Sequence, residues 1–78
     1  MVVNGKVALN PYTTDIEYMD LVSIGDMIVA NEDGSQFDVT ENKEYRLLAY
    51  CGNCVKIIDD TGKEEWYSVD YFHSKYRE

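Results

Sequence analysis

Carboxylates are the residues whose number and spacing carry the clearest chemical signal in this 78-residue chain. The chain has 15 aspartates and glutamates against 7 lysines and arginines, so its formal net charge is −8. Because like charges repel, an ordinary protein surface mixes both signs. Between Val7 and Asn42 there is no lysine or arginine, yet this stretch contains Asp15, Glu17, Asp20, Asp26, Glu32, Asp33, Asp38 and Glu41. The one-sign stretch predicts a folded acidic face, with a generic solubilising surface as the alternative.

Such a face could imitate the phosphates of a nucleic acid. On a β-strand, residues i and i+2 project from one side about 6.6 Å apart. This distance is on the scale of nucleic-acid phosphate spacing, which rises about 3.4 Å per step along the axis. We therefore predict that the partner-binding residues are Asp15, Glu17, Asp20, Glu32, Asp33 and Asp38. Neutralising the first three together is expected to weaken partner binding and to leave stability equal or slightly higher.

The segment Cys51-Gly52-Asn53-Cys54 is a C-x-x-C motif, the spacing of half a zinc site or of a redox pair. A structural zinc site needs four ligands, and the chain's other soft donor is His73. A thioredoxin-type pair begins a helix, whereas strand-like sequences flank this motif. We predict a hairpin turn with two reduced cysteines and neither a metal nor a cofactor. A zinc site and a disulfide are the alternatives.

Two further motifs suggest catalysis or calcium binding, and both have simpler interpretations. Asp60-Thr61-Gly62 matches the aspartic-protease tripeptide, but the polar residues that follow it favour an exposed turn. The acidic segment 31–38 lacks the ligand spacing of an EF-hand. His73 is the sole histidine, and no serine lies in a nucleophile motif. The sequence therefore predicts that the protein is not an enzyme.

The segments that carry these residues mostly have the sequence patterns of β-strands and turns. Asn4-Gly5 between β-branched stretches predicts a type I′ hairpin. Thr14-x-x-Glu17 matches a capping box, which predicts a short helix over about residues 15–22, with a strand as the alternative. From Gly25 onward, short strands alternate with glycine-containing turns roughly every ten residues, a pattern typical of a small barrel.

Alternation along these strands also predicts which side chains form the core. The inward positions are Tyr45, Leu47, Val55, Ile57 and Trp66, and the outward ones are Arg46, Lys56 and Glu65. On this basis, replacing Trp66 with alanine is expected to cost roughly 3–5 kcal/mol.

Three runs in this region match a recurrent pattern: TENKEYRLL at 40–48, VKIIDDTG at 55–62 and WYSVDYF at 66–72. They resemble the small SH3-like barrel proteins of Gram-positive bacteria and their phages. These share a T-x-G-K-x-Y-x-V-L strand, an I-x-D-D-x-G hairpin and an aromatic segment before a final phenylalanine. Asn42 departs from the pattern, because the family usually has glycine there. The resemblance implies a mostly β, five-stranded SH3-like barrel over 26–72.

Composition and length bound the remaining possibilities. The chain is long enough for one domain, with an N-terminal extension at 1–25 and a tail at 73–78. Hydrophobic residues make up 45% of it, too many for intrinsic disorder. Its net charge excludes nucleic-acid or membrane binding through a basic surface. We find no signal-peptide pattern or apolar span, so we expect a cytoplasmic protein, monomeric or weakly dimeric.

The resemblance, the small size and the acidity together predict an early phage product that inhibits a host protein by DNA mimicry. Expected targets are the nucleoid protein HU, RNA polymerase or a defence nuclease. No direct contact with nucleic acid is expected. The alternative is a peptide-binding adaptor that uses an aromatic surface. Its candidate residues are Tyr45, Tyr50, Trp66, Tyr67, Tyr71, Phe72 and Tyr76.

Overall fold

The computed structural model describes residues 2–75, so the end of the predicted tail, including Tyr76, lies outside the described residues. Within this range the chain is mostly β, as predicted. The strands are β1 (Val2–Val3), β2 (Lys6–Ala8), β3 (Leu21–Val22), β4 (Met27–Ala30), β5 (Glu44–Arg46), β6 (Ala49–Cys51), β7 (Cys54–Ile58), β8 (Glu64–Ser68) and β9 (Phe72–Ser74). Three 3-10 turns accompany them: η1 (Ile16–Tyr18), η2 (Glu32–Gln36) and η3 (Val69–Tyr71). No helix in the described range has the length and apolar character needed to span a bilayer.

The N-terminal strands form an antiparallel sheet in the order β1-β2-β3. Asn4 and Gly5 both have positive φ, 50° and 79°, and Val2 lies opposite Val7. These are the backbone angles that a type I′ turn requires, so the predicted hairpin is confirmed.

The helix predicted over 15–22 is wrong. One 3-10 turn forms at Ile16–Tyr18, and the chain then enters strand β3. Asp15, not Thr14, begins the turn, and its carboxylate accepts a hydrogen bond from the Glu17 N–H at 3.1 Å. Leu21 pairs with Ala8 across the sheet, so its backbone is committed to a ladder that a helix would break.

The remaining strands form two more antiparallel sheets, in the orders β5-β4-β9 and β6-β7-β8. None of the three sheets within residues 2–75 closes into a barrel, so the five-stranded barrel stays a prediction. The turn before Lys43 does accept a non-glycine residue, because Asn42 adopts a φ of 68°. Asparagine tolerates this left-handed conformation better than most residues.

A single core joins the sheets, and it contains four of the five predicted inward side chains. Tyr45, Leu47, Val55 and Ile57 are buried, whereas Trp66 is 48% exposed. The prediction for Trp66 is therefore wrong. The register pairs Trp66 with Lys56 on the outer face and places its neighbour, half-buried Tyr67, against the core. Because side chains alternate along a strand, only one of two adjacent aromatics can face inward.

Candidate functional site

A cleft of about 390 Å³ lies between the N-terminal segment and the two 3-10 turns η2 and η3. We call it the acidic cleft. Its apolar lining is Leu9 and Phe72, both buried. Its polar lining consists of Asn10, Tyr12, Asn31, Asp33, Asp70 and His73.

Asn31 joins the two turns that carry the carboxylates of the cleft. Its side-chain oxygen caps η2 by accepting hydrogen bonds from the N–H groups of Asp33 (2.9 Å) and Gly34 (3.2 Å). Its amide nitrogen donates to the carbonyl oxygen of Asp70 at 2.7 Å. One side chain thus holds together the turn that carries Asp33 and the turn that carries Asp70.

Gly34 allows these turns to approach closely. A Cβ atom at this position would lie 3.0 Å from Tyr71 Cβ and 3.2 Å from its carbonyl oxygen. Real Cβ atoms rarely approach so closely, so any larger residue would push η2 away from η3. The spacing of Asp33 and Asp70 therefore depends on a glycine as well as on Asn31.

The Tyr12 hydroxyl donates a hydrogen bond to the Asp70 carboxylate at the mouth of the cleft. The Tyr12 side chain is otherwise 80% exposed. The pKa of Tyr12 is raised, first by this hydrogen bond and then by burial and by the charges of Asp70 and Asp33. Tyr12 therefore lies in the negative field of both carboxylates.

The cleft carboxylates have no basic partner within residues 2–75. The ion pairs there join Lys43 to Asp60 (2.7 Å), Lys56 to Glu64 (3.0 Å) and Lys75 to Glu44 (3.3 Å). These three ion pairs lie outside the acidic cleft, so none of them compensates the negative charge of Asp33 and Asp70. The half-buried ring of His73 lines the cleft, with Nδ1 2.9 Å from the carbonyl oxygen of Ser74.

The structure does not bring all six predicted partner-binding residues to this place. Asp33 lines the cleft, and exposed Glu32 precedes it on η2. Asp15 caps η1 and Glu17 lies on it, and this turn is joined to the cleft wall by a 2.9 Å hydrogen bond from Asn10 Nδ2 to the Tyr18 carbonyl oxygen. Asp38 lines a different cavity, of about 310 Å³, together with Asp59, Glu65, Trp66 and Tyr67.

Asp20 has a structural position. Its carboxylate accepts a hydrogen bond from the Ser74 N–H at 2.8 Å, and its carbonyl oxygen accepts one from the Leu9 N–H at 2.9 Å. The bond from Ser74 attaches the N-terminal segment to strand β9, whereas the bond from Leu9 closes that segment on itself. A carboxylate engaged in this way has less freedom to meet a partner than the exposed Glu17.

Sequence reasoning missed Tyr12, Asn31 and Asp70. Asn31 had a usable signal, because asparagine followed by acidic residues is typical of an N-cap. The Tyr12–Asp70 contact spans 58 residues of sequence and has no local signal.

A second cluster of carboxylates supports the fold. Asp59 is buried and accepts hydrogen bonds from Thr61 and from the Tyr67 hydroxyl, which lower its pKa. Burial, and then the hydrogen bond to Asp59, raise the pKa of Tyr67. Gly62 has a φ of 84°, so the predicted turn at Asp60-Thr61-Gly62 is confirmed.

Asp60 joins the segment around Thr40 to this turn. It accepts hydrogen bonds from the Thr40 hydroxyl (2.6 Å), the Lys43 ammonium (2.7 Å) and the Tyr45 hydroxyl (2.8 Å). The Lys43 bond, followed by the two hydroxyl bonds, lowers the pKa of Asp60 to about 2. The carboxylate of the tripeptide thus has a structural role.

The two cysteines flank a hairpin turn, as predicted, and both are free and exposed. Among residues 2–75, no group of three or more histidine, cysteine, aspartate or glutamate side chains is placed to hold a metal ion.

Of the aromatic residues proposed for a peptide groove, Trp66 is the one among those described whose side chain is largely exposed. Tyr45 and Phe72 are buried, and Tyr50, Tyr67 and Tyr71 are half-buried against the core. Trp66 faces away from that core, with its ring centroid 5.7 Å from Lys56 Nζ.

No protein-family model, curated protein sequence or solved structure matches this chain.

Proposed function

We propose that this protein is a non-enzymatic inhibitor that occupies the nucleic-acid-binding surface of a basic protein by imitating DNA phosphates. The observation that carries this proposal is the acidic cleft. There Asp33 and Asp70 line one cavity, Asn31 joins the turns that carry them, and neither has a basic partner within the described residues. A cationic side chain from another protein would supply the missing countercharge.

The chemistry of the cleft suits arginine or lysine. A guanidinium group forms paired hydrogen bonds with carboxylates, and it stacks on aromatic rings. The cleft offers two carboxylates and the exposed ring of Tyr12. Basic nucleic-acid-binding surfaces are rich in these two side chains because they contact phosphates. The overall charge of −8 favours encounter with such a surface and disfavours contact with nucleic acid itself.

The proposal includes an SH3-like barrel as the scaffold. Three features support this part. Strands β5 and β6 are separated by two residues but belong to different sheets, as happens where a bent strand forms the corner of two packed sheets. Side chains of both sheets share one core. The 3-10 turn η3 leads directly into the last strand, β9.

The proposed setting is a phage-infected bacterium, where the protein acts in the host cytoplasm as a monomer or weak dimer. Candidate targets are the nucleoid protein HU, RNA polymerase and a defence nuclease. All three have basic surfaces that bind nucleic acid, and all three can be tested with purified components.

The experiment is a competition between this protein and labelled DNA for each target, measured by fluorescence anisotropy at low and physiological salt. We expect the protein to release DNA from one target, and its affinity to fall as salt rises. Asp33→Asn with Asp70→Asn should weaken this competition by about 1–3 kcal/mol. The matched control is Glu41→Gln with Glu65→Gln, which removes the same charge from exposed positions outside the cleft.

Equal losses in the two double variants would show that net charge alone is responsible and would overturn the role of the cleft. If the protein released DNA from none of the three targets, DNA mimicry of these targets would be overturned. The same holds if the release did not depend on the salt concentration. If binding to a target instead required Trp66, the peptide-binding adaptor would become the better interpretation.

A further inference from the structure

The two cysteines are direct cross-strand neighbours. Cys51 ends β6 and Cys54 begins β7, and the register places them opposite each other across a two-residue turn. Side chains of directly opposed residues lie on the same face of a sheet, with Cβ atoms about 4.5–5.5 Å apart. A disulfide requires about 3.5–4.5 Å between Cβ atoms and 4.4–6.8 Å between Cα atoms. The hairpin therefore places the two thiols on one face at a Cα separation that a disulfide accepts, about 5.5 Å, and the Cβ atoms must approach by up to about 1 Å for the bond to form.

The turn between them is held in one conformation. Gly52 has a φ of 60° and Asn53 has a negative φ, the combination found in a type II′ turn. The carbonyl oxygen of Asn53 accepts a hydrogen bond from the Val69 N–H at 3.0 Å, which attaches the turn to the start of η3. An unfolded chain with the same four residues lacks this constraint, so its thiols spend less time together.

We infer that Cys51 and Cys54 form a dithiol redox site that closes into a disulfide by exchange with a low-molecular-weight disulfide such as oxidised glutathione. One cysteine thiolate attacks a glutathione sulfur, forms a mixed disulfide and releases one glutathione. The second cysteine attacks the protein sulfur of that mixed disulfide and releases the other glutathione. The protein dithiol loses two electrons and two protons, and oxidised glutathione becomes two reduced molecules. Both cysteines are exposed, so the reagent can reach either sulfur.

The chain carries its own reporter for this reaction. Trp66 is the single tryptophan. It lies opposite Lys56, and Lys56 is two positions after Cys54 on β7, so Trp66 is a diagonal neighbour of Cys54 on the same face of the sheet. Diagonal neighbours of this kind are about 7–8 Å apart. Formation of the disulfide should therefore change the fluorescence of Trp66.

The test measures the disulfide equilibrium of the full chain in buffers of defined reduced and oxidised glutathione. After an acid quench, mass spectrometry counts the fraction that has lost two hydrogen atoms. The same measurement in guanidinium chloride gives the value for the unfolded chain. We expect the native equilibrium constant to be at least about tenfold higher, because the folded hairpin already aligns the thiols. By linkage, the oxidised protein should unfold at a higher denaturant concentration than the reduced protein.

Two variants distinguish the contribution of the folded hairpin to disulfide formation from that of the C-x-x-C sequence alone. Cys51→Ser should form nothing beyond a mixed glutathione adduct. Gly52→Ala adds a Cβ that meets no atom within 4 Å, so it strains the turn conformation alone and should reduce the native advantage. A native constant equal to or below that of the unfolded chain would overturn the inference, as would glutathione adducts that persist on both cysteines.

Discussion

The carboxylate of Asp20 accepts a hydrogen bond from the backbone N–H of Ser74 at 2.8 Å, across 54 residues of sequence. The bond joins the segment that leads into β3 to the last strand, β9. Charge patterning alone placed Asp20 with Asp15 and Glu17 in a partner-binding group. The structure gives Asp20 a different role from Asp15 and Glu17, because the Asp20 carboxylate makes a tertiary hydrogen bond that its removal would break.

Replacing Asp20 with alanine should therefore lower the free energy of unfolding by about 1.5–3 kcal/mol, the range for a hydrogen bond to a charged group. The measurement is urea unfolding followed by Trp66 fluorescence. Glu17→Ala, which removes the same charge from the exposed turn η1, should leave stability within about 0.5 kcal/mol of the original. Equal effects of the two changes would contradict a structural role for Asp20.

The outward position of Trp66 changes what its removal should cost. Because the ring is 48% exposed, we expect Trp66→Ala to cost about 1 kcal/mol, mainly from partial burial and from contact with Lys56. Leu47→Ala, at a fully buried position, should cost about 2–5 kcal/mol. Thermal unfolding followed by circular dichroism compares the two variants without relying on tryptophan. A larger loss from Trp66 than from Leu47 would contradict the register of β7 and β8.

Asp60 should make stability depend on pH in acid. Its pKa in the folded protein is about 2, below the ordinary value of 3.8, so the ionised form is favoured by folding. Its contribution is present above about pH 4 and is lost as the pH falls towards 2. Asp60→Asn should flatten this part of the profile of unfolding free energy against pH, measured by urea unfolding at each pH.

The control for this measurement is Glu41→Gln, which removes an exposed carboxylate outside the Asp60 cluster. Its profile should follow that of the original protein between pH 4 and pH 2. If Asp60→Asn and the original protein lost stability in parallel over that interval, the hydrogen bonds from Thr40, Lys43 and Tyr45 would not be acting on Asp60 as described.

Metal removal should leave the fold unchanged. The two cysteines flank a hairpin turn, and in the described part of the chain no third ligand completes a metal site with them. We expect the thermal midpoint to be the same before and after dialysis against EDTA. A drop of about ten degrees or more would indicate a structural metal. It would return zinc coordination by Cys51, Cys54 and His73 to consideration.

Local backbone chemistry was predictable from the sequence. The turns at Asn4-Gly5, Cys51–Cys54 and Asp60-Thr61-Gly62 were all predicted correctly, because turn residues act through their own φ values and their nearest neighbours. The mostly β character and most of the core were predictable from the alternation of apolar and polar residues, because successive side chains of a strand point to opposite faces.

The charge, the turns and the alternating strands could be assigned from the sequence, but the contacts between distant side chains depend on how the strands pair and pack. A shift of one residue in register reverses the face of every side chain on a strand, so Trp66 and Tyr67 could be assigned only once β8 was paired with β7. Likewise, a run of carboxylates does not say which of them converge. Asp33 and Asp70 share a cleft because Asn31 bonds to the distant carbonyl oxygen of Asp70 and because Gly34 lets its turn approach Tyr71, and neither contact has a local signal in the sequence.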